Sequence, residues 1–328
     1  MVMNPNSVGV ICTARQALEN LGSGSIFRRL WLPIVERAAR LAEAGQLRNL
    51  PFQVETSLLR SAEDLKRLDA LLDRIDSGAL AQGATGVKCW ADLQSRLSTP
   101  GYRTSYRQVV SASLEGVVLG VLLAKWGDAV ALWPELPSPE KRSDTVGNGA
   151  QPSESLAELP STDKRSEAVV RTAVPFNCEV TCCWSDQDLE QRGLRSRKAN
   201  GRRRIGYDEY YHKLAHAVAG KRKQMRTDML NVLFIAVLFL NDPRYYSDDG
   251  EETAADILSR ALQGRRRLGI RVAVLDFDSV LKLRQLYVPP DLLPGEDGVL
   301  SDLKAAFASH WPGQNPVTVR VLPSIAPQ

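Results

Sequence analysis

Residues Pro175 to Leu240 decide the fold: PFNCEVTCCW (175–184), DQDLEQRGLRSRKANGRRRIG (186–206), YDEYYHKLAHAVAGKRKQMRTDM (207–229) and LNVLFIAVLFL (230–240). The order reads strand, basic loop, helix, strand. The first strand carries one acid, Glu179, in a run that is otherwise apolar or small. The loop is dense in Arg and Lys, and the helix adds Lys213, Lys221, Arg222, Lys223 and Gln224. The last run is β-branched, aromatic or leucine on both faces. Burying each large side chain is worth roughly 1.5–3 kcal/mol, so such a strand belongs at the centre of a sheet covered on both sides.

Downstream, Thr253 to Gln263 reads as an amphipathic helix, Arg271 to Leu275 as a strand, Val280 to Tyr287 as a short helix and Val317 to Leu322 as a last, edge strand. Upstream, Val8 to Thr13 is compatible with a short strand. From Ser25, Phe27, Leu30, Trp31, Ile34, Val35 and Ala38 recur at helical spacing, with Ser25 as cap and Pro33 as a distortion or break. A second helix opens at Ser61, carries Leu65, Leu68, Leu71, Leu72 and Ile75 as one stripe, and stops at Gly78. Trp90, Leu93 and Leu97 suggest a third. Thr104 to Trp126 is a long, largely apolar helix with Glu115 at its middle, and Ala129 to Trp133 is the next strand.

Between Pro134 and Glu167 the composition shifts to Pro, Ser, Glu, Asp and Gly. Without bulky apolar residues such a segment does not offset its ordering entropy by burial, so it is expected to be a disordered insertion. The expected organisation is a mostly helical N-terminal region over 1–103 and an α/β domain over 104–328 that contains the 134–167 insertion. Strands alternating with helices predict a mixed central sheet flanked by helices.

At 328 residues, with 44% hydrophobic and 24% charged residues, the chain falls in the globular range. A net charge of +4 permits nucleic-acid contact without requiring it, so the distribution of charge decides. Five cysteines, three of them on one apolar strand, argue against a disulfide framework and for a reducing, cytoplasmic setting. The opening residues lack the basic-then-apolar order of a signal peptide. The longest apolar run, Val232 to Leu240, is about half of a bilayer span, so no membrane partner is expected.

The element order over Thr104 to Tyr287 (helix with a central Glu, two strands, the second bearing Glu-Val-Thr, a basic helix, an apolar strand) resembles the PD-(D/E)xK, or restriction-endonuclease-like, nuclease superfamily. That resemblance implies a core acid on one strand and a Glu-x-Lys on the next that together hold Mg²⁺, with the Lys positioning the attacking water. Mg²⁺ suits this work because it prefers carboxylate and water oxygens and neutralises charge on the scissile phosphate. By the likeness Glu179 is the second-strand acid and metal ligand, and Glu115 matches the acid found on the preceding helix. The chain departs from the pattern at Thr181, which stands where the motif has Lys. Relatives sometimes supply the cation from the following helix, which nominates Lys221 or Lys223, with Lys213 also within that helix. The first-strand acid is left open among Asp128, Asp144 and Asp163.

The bland alternatives are explicit. Glu179 can be a strand-end acid that is solvated or paired with an arginine, and Glu115 a helix-surface acid paired with Arg107 or Lys125. The basic run, with Arg192, Arg195, Arg197, Lys198, Arg202, Arg203 and Arg204, reads either as a phosphate-contacting surface or as a solvated loop. Tyr207, Tyr210 and Tyr211 suit base stacking or core packing. His212 and His216 share a helix face near Cys178, Cys182 and Cys183, but the spacing lacks any Zn²⁺ signature, so core cysteines and surface histidines are expected. VAVLDFDSVL (272–281) resembles the Asp-x-Asp strand end of haloacid dehalogenase-like phosphatases. Its preferred reading is a strand followed by a helix capped by Asp278.

Two functions therefore stay open. One is a nucleic-acid-binding, Mg²⁺-dependent phosphodiester-cleaving nuclease, with DNA preferred to RNA as substrate. The other is a catalytically degenerate binding or scaffolding subunit of a nucleic-acid-processing or defence complex. The N-terminal helices are candidates for a protein partner or a homodimer contact, and a phosphatase centred on Asp276 ranks third.

Overall fold

The computed structural model describes residues 6–44, 62–81, 102–132, 166–183, 218, 221, 224–237, 254–266, 269–277, 283–310 and 317–323. Four helices come first: α1 (Asn6–Glu19), α2 (Ile26–Glu43), α3 (Ala62–Ala81) and α4 (Tyr102–Trp126). Then follow β1 (Val130–Leu132), β2 (Ala168–Val170), β3 (Phe176–Cys183), β4 (Leu230–Val237), α5 (Ala254–Arg266), β5 (Val272–Phe277), β6 (Leu283–Val288), α6 (Glu296–Ser309) and β7 (Thr318–Val321). The protein is α/β, with one mixed seven-stranded sheet and helices on both faces.

The strands lie across the sheet in chain order. β1, β2 and β3 form an antiparallel meander; β3, β4 and β5 run parallel; β6 is antiparallel to β5, and β7 is parallel to β6. Parallel neighbours need a crossover, and each crossover covers a face. The apolar continuity of LNVLFIAV is explained by β4's central place: Leu230, Val232, Phe234 and Ala236 point into one core, while Leu233 and Ile235 point into another.

The larger core joins that first face to the helical segment. Ile11, Leu18, Phe27, Trp31, Leu65, Leu72, Leu114, Val118 and Leu122 are all buried within the same cluster as Phe176, Cys178 and Val232. α6 closes this face through Phe307, whose ring lies 5.7 Å from Phe234 and 5.2 Å from Phe277. Its first turn is fixed by buried Glu296, which accepts from Arg271 Nε at 3.0 Å and from the Leu293 amide at 2.8 Å. Two polar ties lock the helices. Trp31 Nε1 donates to Ser113 Oγ at 2.9 Å, linking α2 to α4. Ser25 caps α2 by accepting the Arg28 amide at 2.9 Å, and its hydroxyl donates to Asp69 of α3 at 2.6 Å. The smaller core, on the opposite face, packs Ala255, Leu258 and Leu262 of α5 against Leu233, Ile235, Val272 and Val274, with Val218 and Met225 from the β3–β4 crossover.

Several expectations are corrected. Val8 to Thr13 lies within helix α1, because Ile11, Ala14, Leu18 and Leu21 bury one helical face. Pro33 sits inside an uninterrupted α2, and Gly78 does not end α3, which runs on to Ala81. Leu283–Val288, inside the stretch read as a short helix, is strand β6, held by antiparallel pairing to β5. Helix α6 was not anticipated. The third N-terminal helix lies outside the described residues, as do 134–165 of the expected insertion, whereas Ser166 and Glu167 at its end are described.

Gly120 marks where α3 and α4 touch. A Cβ there meets the Leu71 carbonyl oxygen at 2.4 Å, and that atom is helix backbone with no freedom to swing aside. Gly120→Ala is expected to force the helices apart and destabilise the protein by about 1–3 kcal/mol, read as a lower urea midpoint at unchanged slope.

Candidate functional site

Residues of β3 alternate between the two cores. Phe176, Cys178 and Val180 enter the larger one. Asn177, Glu179 and Thr181 therefore point the other way, towards the smaller core and the crossover that returns to β4. The antiparallel register sets Ala168 of β2 against Cys178. Glu167, in the bend immediately before β2, is one residue from Ala168 and comes beside Glu179, whose pKa its carboxyl raises. Two acids thus come together, one on β3 and one just ahead of β2, with Glu179 1% exposed.

Lys221 meets them from the crossover. Its ammonium hydrogen-bonds Glu167 Oε1 and lies 3.4 Å from Glu179 Oε2. Its backbone sits in a turn between two hydrogen bonds: the Lys221 amide donates to the Val218 carbonyl at 3.1 Å, and the Gln224 amide donates to the Lys221 carbonyl at 3.0 Å. Glu115, half-buried on α4, is close enough to add to the negative field at the ammonium.

The electrostatics follow from burial and like charge. Desolvation, then the facing Glu167 carboxyl, push Glu179 up to about 11, and Lys221 only partly opposes them. Burial works against the charge of Lys221, but Glu167, Glu179 and Glu115 together outweigh it and its pKa is raised. The arrangement is a Lys221–Glu167 ion pair beside Glu179, a carboxyl that burial and its neighbour push towards the neutral form. The two carboxyls are close enough to share a proton, and apart from that and Lys221 the Glu179 oxygens and Glu167 Oε2 are buried with no other donor among the described residues. Orphaned carboxylate oxygens in a pair are suitable donors for a hard divalent cation. Mg²⁺ commonly takes only one or two protein carboxylates and keeps several waters, so Glu167 and Glu179 fit it. Among the described residues no group of three or more acidic, His or Cys side chains is gathered as a metal cage.

Of the candidate residues named from sequence, the structure brings together Glu179, Lys221 and Glu115. Glu167 was missed: it closes the polar stretch assigned to the insertion, and its signal was its place directly before the apolar Ala168–Val170. Asp128, one option for that acid, lies in the turn before β1 and lines a separate cavity of about 1010 Å³ with Asp73, Arg74 and Arg171. Asp144 and Asp163, Lys213, Lys223 and the basic residues Arg192, Arg195, Arg197, Lys198, Arg202, Arg203 and Arg204 lie outside the described residues, as do Tyr207, Tyr210, Tyr211, His212 and His216. Cys178 is buried, and burial followed by the charges of Glu179 and Glu167 raises its thiol well above the usual range. It is a core thiol, not a thiolate ligand. Asp276 faces the smaller core at 5% exposure, and strand β6, not a capped helix over Val280 to Tyr287, follows it; Asp278 lies outside the described residues.

An acid whose pKa rises on folding takes up a proton as the chain folds. Its effect on stability is therefore most favourable below the usual carboxylate range and is lost as pH climbs towards the folded value. In chelator-containing buffer Glu179→Gln is expected to be more stable than the parent at pH 8, with the gap shrinking towards pH 5 by at least about 1 kcal/mol. Urea melts at the two pH values read it, and a constant gap means that Glu179 is ionised in the folded protein.

Comparison with protein-family models, with curated proteins and with solved structures found no match to this chain.

Proposed function

We propose that this chain is a nucleic-acid-binding protein with a restriction-endonuclease-like core that cleaves phosphodiester bonds with Mg²⁺. The observation that carries the reading is the meeting of Lys221 with two acids, one on β3 and one just ahead of β2. The lysine that Thr181 displaces from the Glu-x-Lys position is replaced, on the same side of the sheet, by one from the crossover. The order α4, β1, β2, β3, crossover, parallel β4 supports it, with Glu115 on the helix, Glu167 ahead of β2 and Glu179 on β3 in the chain order that the resemblance implies.

In this reading Glu167 and Glu179 would hold the cation through their carboxylate oxygens. Bound there, Mg²⁺ supplies charge neutralisation at the scissile phosphate. Lys221, held at the two acids by its ion pairs, keeps its ammonium beside them and would orient a water for in-line attack. Glu115 stabilises the ammonium and keeps it pointed at the acids. The basic run from Arg192 to Arg204 supplies sequence-independent phosphate contact, DNA in preference to RNA. Thr181 supports a second reading, a site that binds nucleic acid without cutting it, as part of a larger nucleic-acid-processing or defence assembly.

Labelled single- and double-stranded DNA and RNA separate the two. Cleavage is scored with Mg²⁺ or Mn²⁺ and binding with Ca²⁺. Glu179→Ala and Glu167→Ala are expected to abolish cleavage, and Lys221→Met to slow it by on the order of 10²-fold or more, with binding retained in Ca²⁺. Salt-sensitive binding with no cleavage by the parent protein selects the non-catalytic reading. Neither binding nor cleavage removes both.

A further inference from the structure

Two asparagines sit where a covered parallel sheet has apolar residues. Asn177 of β3 and Asn231 of β4 are fully buried, paired in register and flanked by apolar neighbours on both strands. Asparagine is poorly suited to a central strand, and among the described residues nothing donates to the buried Asn177 Oδ1. A valine pair would pack into the smaller core without that penalty, so the amides need a different explanation.

Their hydrogen bonds converge on the segment that follows Lys221. Asn177 Nδ2 donates to the Gln224 carbonyl and to Asn231 Oδ1, each at 3.0 Å. Asn231 Oδ1 also accepts the Arg226 amide at 2.7 Å, and its Nδ2 donates to the Arg226 carbonyl at 2.7 Å and the Arg271 carbonyl at 3.2 Å. Residues 224–226 are thereby pinned to the sheet one turn from Lys221, whose carbonyl accepts the Gln224 amide. Asn177 and Glu179 share one face of β3, two residues apart. The same strand face thus carries the acid and the anchor for the lysine that meets it.

We infer that Asn177, braced by Asn231, is a positioning residue that holds the Lys221 ammonium against Glu167 and Glu179. The inference rests on Lys221 being the working cation of the site, and it is tested with a readout that does not require cleavage. The full-length protein is treated with an amine-reactive acetylating reagent, and modification of each lysine is followed by mass spectrometry. Lys221, with a side chain 17% exposed and ion-paired, is compared with Lys125, 40% exposed on α4. Asn177→Ala removes the anchor; Asn177→Val removes it together with the orphaned oxygen and suits a strand, so it keeps the fold.

Both variants are expected to raise modification of Lys221 about tenfold relative to Lys125, the scale of one or two lost hydrogen bonds. Cleavage should fall through kcat with KM unchanged, because Asn177 touches no substrate. A selective rise at Lys221 in a parent protein that cuts nothing upholds the anchor and rejects the nuclease reading. Active parent enzyme with Lys221 modification unchanged in the variants does the reverse. Uniform increases at all lysines, or loss of the fold in both variants, make Asn177 a structural residue and overturn the inference.

Discussion

Two carboxyl groups forced together out of water, one on β3 and one just ahead of β2, are the constraint around which this protein is arranged. Taken alone, such a pair is unfavourable twice over: each group loses hydration, and each repels the other once ionised. The fold answers with one ammonium and one carboxyl pushed towards its neutral form. Lys221 neutralises Glu167, while Glu179 is driven in that direction by burial and by its neighbour. Among the described residues the oxygens of this pair have few other partners, which leaves both carboxyls dependent on Lys221 and on each other. A site built for structure alone would be better served by apolar side chains at the same positions, as β4 demonstrates on the neighbouring strand.

The division of labour between the two faces of the sheet follows from that constraint. The larger core, from α1–α4 and α6, is almost wholly apolar and supplies bulk stability. The smaller core is interrupted along β3 by Asn177, Glu179 and Thr181, and that face carries the buried charge cluster. Glu115 is the exception, because it reaches the same field from α4. Cys178, between Asn177 and Glu179 in sequence, is kept inert by facing the larger core.

Much of the fold was legible in the sequence. α2, α3 and α4 announce themselves by apolar spacing, and β4 by its double-faced hydrophobicity. β6 misled because Leu283 and Leu286 are three residues apart, a helical spacing, while its state is set by hydrogen bonds from β5 that local pattern does not contain. α6 had a readable stripe in Val299, Leu300, Leu303, Ala306 and Phe307, and an acidic first turn, but Gly298 and the preceding proline-rich stretch mask it. Of the site, Glu179 stood out as a lone acid on a core strand. Lys221 was one of three lysines on the same predicted helix, and only the turn geometry separates it from the others. Glu167 was hidden by composition: it ends a polar stretch, and its partnership with Glu179 exists only once the antiparallel register is known.

The chain separation of these groups has a kinetic side. Glu167 and Glu179 belong to one short hairpin, β2–β3, whose turn is tied locally by Thr172 Oγ1 donating to the Val174 carbonyl at 2.7 Å. Lys221 arrives only after a crossover of several dozen residues has closed and β4 has paired with β3. Local contacts form before distant ones, because loop closure must come first. The hairpin holds two acids whose counter-charge comes from far along the chain, so the acids are neutralised only when the parallel strand β4 is docked on β3. The buried charges of this cluster tie a short hairpin to a lysine that lies several dozen residues further along the chain.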